Sequence, residues 1–178
     1  EHRGDIGFTH KGLSGPGILD FSRFILGGDQ LKINFIDQNH DDFRNALILA
    51  SGKEGKTAIQ TFLKKFDLPR SLVMLILNSI QIEPETRLAG ITKTQRIQLL
   101  TSFCEYPFVV EKVGGFNTAM VTAGGVSLDE VNPKTMESKL VSELFFAGEV
   151  LDIDGDTGGY NLQAAFSMGY LVAKNLEG

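Results

Sequence analysis

Apolar residues recur with helical spacing from about residue 41 to residue 104. Phe43, Leu47 and Ala50 fall on one side of a first helix, and similar groups repeat further along the interval. The sequence Thr92-x-x-Gln95 is a capping-box pattern, typical of a helix start. The spacing therefore predicts a small helical bundle over residues 41–104, separable from the flanking β segments.

The flanking segments show the shorter period of strands. Residues 30–36 alternate apolar and polar side chains, and apolar runs occupy 6–9, 108–113, 119–126 and 144–150. Pro16 is well placed as the first residue of a short helix extending to about Ile25. A last helix, after Gly158-Gly159, carries apolar residues at i, i+3, i+4 and i+7 throughout. The chain thus reads as α+β, with a helical insertion between β segments.

Composition and charge narrow the class of protein. The chain has 178 residues, 42% of them hydrophobic and 22% charged, as in ordinary globular domains. Its net charge of −5 argues against a nucleic-acid or anionic-membrane surface, and its longest apolar run is far too short to span a bilayer. We expect a cytoplasmic protein with no nucleic-acid and no membrane partner. The start, which lacks Met and leads almost directly into a strand, predicts a piece of a longer protein.

The single cysteine, Cys104, excludes an internal disulfide framework and a cysteine-based zinc site. It ends a helical pattern, which favours a buried structural thiol over a nucleophile.

Two local motifs partly match those of known sites, a serine nucleophile and a calcium loop, but both lack required residues. Ser14 lies between Gly12 and Gly15 with His10 nearby, yet Pro16 stands where a nucleophile elbow needs glycine. This disfavours a serine hydrolase and leaves a glycine-rich turn before a helix.

The spacing of Asp152, Asp154 and Asp156 is that of a calcium loop. Such a loop needs glycine at its sixth position and glutamate at its twelfth, where this chain has Thr157 and Gln163. A solvated acidic turn is the simpler interpretation, and no metal site is expected.

The last forty residues are the most informative. An apolar run ends at Gly148-Glu149, an acidic turn follows, and the final helix opens on two glycines. Glycines at a helix start let a ligand approach the backbone, where free N–H groups favour an anion or a ring carbonyl. This arrangement is typical of a nucleotide-cofactor site. No G-x-G-x-x-G follows a strand near the N-terminus, so half of such a site would lie elsewhere.

Four segments together resemble a known family: 8–16, 121–126, 132–139 and 146–161. They are similar to the C-terminal half of BaiN/YhiN-type NAD(P)/FAD-dependent oxidoreductases, some of which are assigned to an aminoacetone oxidase family. The resemblance implies a mixed, barrel-like β part (1–40 and 105–126) and an inserted helical bundle (41–104). It further implies a C-terminal strand and helix (127–178) that complete a Rossmann-like FAD domain.

The resemblance also implies a site. The chain would hold the ribityl and isoalloxazine end of FAD, with Glu149 accepting hydrogen bonds from ribityl hydroxyls and the amides at the start of the last helix facing the flavin pyrimidine edge. Gly159 would open that helix, where we expect valine to be tolerated by the fold but not by the flavin. The alternative is that Gly159 has a positive φ or packs against a neighbouring strand, in which case valine would destabilise the fold. The cofactor-binding residues implied are Gly124, Gly125, Gly148, Glu149, Gly158, Gly159, Tyr160 and Asn161. His10 is the one candidate imidazole for catalysis.

Partners and activity follow from the same resemblance. The N-terminal half of the protein would supply the rest of the FAD domain, and a small molecule would be the substrate. The isolated chain is expected to be inactive and to bind FAD weakly or not at all. The alternative is a non-catalytic interaction or substrate-contact module that holds no flavin.

Overall fold

A computed structural model describes residues 1–176 of the chain. It shows a mixed α/β protein that divides into two compact units. One unit is Gly28–Val110, and the other combines Glu1–Gly27 with the chain from Glu111 onward. These boundaries do not coincide with the expected ones at 40/41 and 104/105, and the three-part division stays a prediction.

The N-terminal segment begins with a hairpin of β1 (Gly7–Thr9) and β2 (Gly12–Ser14), in which Phe8 faces Leu13. Part of the expected turn at 12–15 is therefore strand. The reason is Gly12, whose φ of +135° lets the chain reverse within two residues.

The helix predicted from Pro16 to Ile25 is shorter than expected. Helix α1 covers Pro16–Leu19, and a 3-10 turn over Ser22–Phe24 follows it. The Ser22 hydroxyl donates to the Leu19 carbonyl (2.7 Å), and this local bond competes with continuation of the helix.

The second unit contains one strand pair and four helices. Strand β3 (Gln30–Ile33) is followed by α2 (His40–Lys53), α3 (Ile59–Leu63), α4 (Arg70–Ser79), α5 (Lys93–Cys104) and β4 (Tyr106–Val109). The helices predicted from periodicity are present, and between residues 40 and 104 the structure shows no strand, only an isolated bridge between Ala58 and Arg87. The capping box of Thr92 and Gln95 is also confirmed.

Phenylalanines organise the core of this unit. Phe43 and Phe103 are fully buried, with ring centroids 6.2 Å apart, and Phe43 also contacts Phe62 and Phe66. Cys104 is buried beside them, as expected. Burial, with a smaller contribution from the charge of Glu105, raises the pKa of the Cys104 thiol to about 11.

Strands β3 and β4 bring the two ends of the second unit side by side. They pair antiparallel, with Gln30 opposite Val109. Beyond them the Gly28 amide donates to the Val110 carbonyl (2.7 Å), and the Val110 amide donates to the Asp29 carbonyl (2.9 Å). The unit thus begins and ends at adjacent points of the backbone.

The C-terminal part of the first unit has less regular strand structure than predicted. The runs 119–126 and 144–150 form only isolated bridges, a parallel one between Val126 and Leu151 and an antiparallel one between Glu137 and Phe145. Positive φ angles at glycines 124, 125 and 148 interrupt the extended backbone there.

The last helix is confirmed as α6 (Tyr160–Leu176). It packs through Met168 on a small core with Leu151, Met136 and Val131. Among residues 1–176, no helix combines the length and apolar character needed to cross a membrane.

Candidate functional site

Residues 121–126 and 148–152, here called the paired loops, lie side by side in the first unit. The Val126 amide donates to the Val150 carbonyl at 2.9 Å. At Gly125, with φ +139°, a β-carbon would stand 2.5 Å from the Val150 oxygen. The close approach of the two backbones therefore explains a glycine at position 125 without a cofactor.

Two carboxylates tie the paired loops together. Glu149 Oε1 accepts from the Thr122 amide (2.9 Å) and makes a longer contact with the Thr122 hydroxyl (3.4 Å). Asp152 Oδ1 accepts from the Gly124 amide (2.9 Å). Hydrogen bonds from amides to carboxylates are stronger than neutral ones, so these acids fix the conformation of 122–124.

The acidic loop, residues 152–157, is closed onto the start of α6 by one side chain. Asn161 Oδ1 accepts from the Gly155 amide (2.8 Å), and Asn161 Nδ2 donates to the Gly155 carbonyl (2.9 Å). The Asn161 side chain is thus committed to the loop, so a contribution of this residue to a ligand would come from its backbone amide.

The carboxylates of the acidic loop bind protein groups. The Arg23 guanidinium lies 3.3 Å from carboxylate oxygens of both Asp154 and Asp156, and Asp152 is engaged with Gly124. Within residues 1–176, no group of three or more His, Cys, Asp or Glu side chains is arranged to hold a metal ion.

The glycines named from the sequence differ in what surrounds them. Gly124 (φ +96°) and Gly159 (φ +89°) have no other atom within 4 Å of where a β-carbon would stand. Gly148 (φ +82°) instead lies against α6: its added β-carbon would contact Ala165, and its amide donates to the sulfur of Met168 (3.4 Å). Of the glycines named from the sequence, 124 and 159 thus combine a positive φ with open space beside the backbone, as Gly12 and Gly28 also do elsewhere in the chain.

The expectation that the fold would tolerate valine at Gly159 is wrong. Helix α6 begins at Tyr160, and Gly159 precedes it with a positive φ that side chains rarely adopt. A substitution there strains the backbone whatever lies beside it.

The remaining named residues are accessible. Gly158 has φ +119° and faces the ring of Tyr160, which is itself 67% exposed. His10 is exposed in the turn between β1 and β2. The roles of these residues in binding and catalysis stay predictions.

These residues fit a flavin in three respects. The positive-φ glycines at 124 and 159 leave the backbone open where a flat ring needs close approach. The first amides of α6 have no partner within the helix, and such amides suit the oxygen-rich pyrimidine edge of a flavin. Glu149 is exposed, and its two hydrogen bonds among residues 1–176 both use Oε1, so its second oxygen suits a ligand hydroxyl.

Sequence reasoning missed three residues that shape this region. Thr122 holds Glu149, while Asp20 and Arg23 bind the acidic loop from more than 130 positions away. Asp20 and Arg23 lie three residues apart within the predicted first helix, where two charges look like an ordinary solvated face. No local signal could have paired them with residues 154–157.

Comparison with known proteins identifies the family. Residues 24–175 match the family described as "HI0933-like protein Rossmann domain". The chain belongs to this family, which confirms the resemblance to BaiN/YhiN-type flavoproteins and supports a flavoprotein oxidoreductase.

Three curated relatives show which activities occur in similar proteins. The chain is 35% identical over 170 residues to the ribosomal RNA dihydrouridine synthase of Haemophilus influenzae, covering 96% of this chain and 41% of the relative. It is 32% identical over 176 residues to the Escherichia coli protein of the same name, with coverage of 98% and 42%. It is 30% identical over 181 residues to the 3-dehydro-bile acid delta(4,6)-reductase of Clostridium scindens, with coverage of 98% and 44%. The chain therefore spans about two fifths of the length of these relatives.

Proposed function

We propose that this chain is the C-terminal part of an FAD-dependent oxidoreductase and supplies the ribityl and ring side of its flavin site. The observation that carries this proposal is the open backbone at Gly124 and Gly159, on segments joined to one core. Membership in the HI0933-like family supports it.

The residues of the chain would bind and orient the cofactor. Glu149 would accept from ribityl hydroxyls through the oxygen that Thr122 leaves available. The amides of Tyr160 and Asn161 would donate to the pyrimidine edge, and Gly124 and Gly158-Gly159 would allow contact. Gly125 and Gly148 would act indirectly, since their surroundings are protein backbone and α6. Bound FAD would supply hydride transfer at N5.

The names of the relatives suggest the class of reaction. A dihydrouridine synthase and a delta(4,6)-reductase both saturate a carbon–carbon double bond conjugated with a carbonyl group. We propose this reaction for the longer protein, with NAD(P)H as the hydride source. His10 is the candidate proton donor. The expectation of no nucleic-acid partner stays a prediction, and the names of two of the three relatives, which include ribosomal RNA, weigh against it.

The N-terminal part of the protein would cover one face of α6. Leu162, Phe166 and Tyr170, four residues apart, are 67%, 73% and 68% exposed. A helix that leaves such a stripe in water normally packs against another layer. We propose the N-terminal FAD domain as that layer, since the relatives are more than twice as long as this chain.

The second unit would shape the substrate side. We propose that its helices act as the inserted bundle and that the β segments of the chain complete a barrel-like part in the longer protein. The protein would work in the cytoplasm.

The test uses the longer protein and this chain side by side. The longer protein should purify with FAD, oxidise NADH or NADPH, and saturate uridine in ribosomal RNA or the double bond of a conjugated ketosteroid. A longer protein that neither binds FAD nor becomes reduced would favour the alternative, a non-catalytic interaction module. FAD binding without activity on either substrate would support the flavoprotein assignment and refute the proposed class of reaction.

A further inference from the structure

Two side chains from the N-terminal segment hold the acidic loop. Arg23 Nη1 donates to the Asp154 carbonyl (2.7 Å), and the guanidinium lies 3.3 Å from oxygens of the Asp154 and Asp156 carboxylates. Asp20 Oδ1 accepts from the Thr157 amide (2.7 Å), and Oδ2 accepts from the Thr157 hydroxyl (3.2 Å). The contacts end one residue before Gly158-Gly159.

The segment that carries these side chains is itself fixed. Asp20 caps α1 through its amide, which donates to the Pro16 carbonyl, and Ser22 bonds back to Leu19. Phe21 and Phe24 pack with ring centroids 5.8 Å apart. Local contacts therefore hold the segment from which Asp20 and Arg23 meet the acidic loop, although the Phe24 ring is 71% exposed.

Partial burial gives these contacts weight. The Arg23 side chain is 26% exposed and that of Asp154 is 25% exposed, so water screens the attraction of this pair less than at a fully open site. The Asp156 side chain is 62% exposed, so its pairing with Arg23 is more strongly screened. Neither Asp20 nor Arg23 belongs to the core around Leu151 and Met168. Their removal should therefore change the loop more than the stability of the unit.

We propose that Asp20 and Arg23 are positioning residues for the flavin site: they clamp residues 154–157 and so set the backbone of Gly158-Gly159 and the start of α6. This inference rests on the proposed function. Arg23 also neutralises two carboxylates beside amides that would face a ring gaining negative charge on reduction. Its loss should therefore weaken binding of reduced FAD more than binding of oxidised FAD.

The first test needs no cofactor. Hydrogen exchange in the apo-protein should show faster exchange of the Thr157 amide and its neighbours in Asp20→Ala, with little change in Asp20→Asn, which keeps an acceptor. Exchange equal to wild type in Asp20→Ala would overturn the clamp, whatever the protein binds.

The second test is FAD titration of the longer protein. Asp20→Ala and Arg23→Gln should raise the dissociation constant about tenfold, the effect of roughly 1.4 kcal/mol. In Arg23→Gln the loss for reduced FAD should exceed that for oxidised FAD about threefold, which lowers the flavin midpoint potential. Arg23→Lys should restore the potential but not the full affinity, since lysine keeps the charge without the planar fork.

The exposed pair of Asp41 and Arg44 on α2 gives matched controls, Asp41→Ala and Arg44→Gln, which should change none of these values. A lower melting temperature with unchanged affinity and potential in the Asp20 and Arg23 variants would assign the contacts to structure alone and refute the inference. If exchange is faster in Asp20→Ala but the wild-type protein binds no FAD, the contacts with the acidic loop are supported and the flavin site is refuted.

Discussion

Replacing Glu149 by alanine should show whether this residue binds the flavin or only holds Thr122. In the apo-protein the change removes one strong hydrogen bond, from the Thr122 amide at 2.9 Å, and one long contact with its hydroxyl at 3.4 Å. Glu149 is exposed, so water can replace it as partner. The apo-protein should thus lose no more than about 1 kcal/mol of stability.

If FAD binds as proposed, water would be excluded from this carboxylate and its hydrogen bonds to ribityl hydroxyls would become stronger. Their loss should cost about 1.5–3 kcal/mol, or roughly ten- to a hundredfold in FAD affinity. Flavin fluorescence titration of the longer protein measures the affinity, and thermal melting of the apo-protein measures the tether.

Two further variants sharpen the result. Glu149→Gln keeps an acceptor for Thr122 but lacks the charge, so its affinity should fall between those of wild type and Glu149→Ala. Glu143→Gln, at another exposed acid of the same unit, should behave as wild type. An FAD affinity unchanged in Glu149→Ala would show that Glu149 only holds Thr122 in place.

Four other outcomes are expected. This chain expressed alone should purify without stoichiometric flavin, because the phosphate-binding loop is not part of it; an absorbance spectrum with one FAD per chain would contradict this. Gly159→Ala should lower apo-protein stability by about 1–3 kcal/mol because φ is +89°, and calorimetry with no loss would refute the strained backbone. Phe103→Ala should destabilise the second unit by about 3–5 kcal/mol in urea unfolding, since the ring is fully buried; a loss below 1 kcal/mol would contradict that burial. The Cys104 thiol should stay unreactive at pH 8, because burial raises its pKa to about 11. Its contribution to stability should be complete below the unfolded-state pKa near 9 and should be lost as pH rises through about 11. The melting temperature of Cys104→Ala should not show this loss.

Local signals in the sequence predicted the helices from α2 onward well, whereas the helix predicted from Pro16 to Ile25 covers only Pro16–Leu19. The capping box of Thr92 and Gln95 depends on residues three positions apart, and the apolar stripe of α6 depends on neighbours along one helix. Such contacts join residues that are close in the sequence, so the local pattern of residues is sufficient to locate the helix.

Strands and site contacts depend on distant partners, and there the sequence was less informative. The runs 119–126 and 144–150 have strand composition, but positive φ at their glycines limits them to isolated bridges. The sequence could not show which glycines face open space and which face backbone. Gly124 and Gly125 are neighbouring glycines, yet Gly124 faces open space and Gly125 lies against the Val150 carbonyl. The same holds for Asp20, whose partner Thr157 lies 137 positions away.

The adjacent ends of the second unit have a consequence for evolution. Because Gly28 and Val110 are hydrogen-bonded neighbours, the 83 residues from Gly28 to Val110 could be exchanged for another module, or for a short turn, without stretching the chain on either side. Gly124, Glu149 and Gly159 all lie outside that interval. Under the proposed function, a lineage could thus acquire a new substrate by replacing this one unit while the flavin site in the first unit was inherited unchanged.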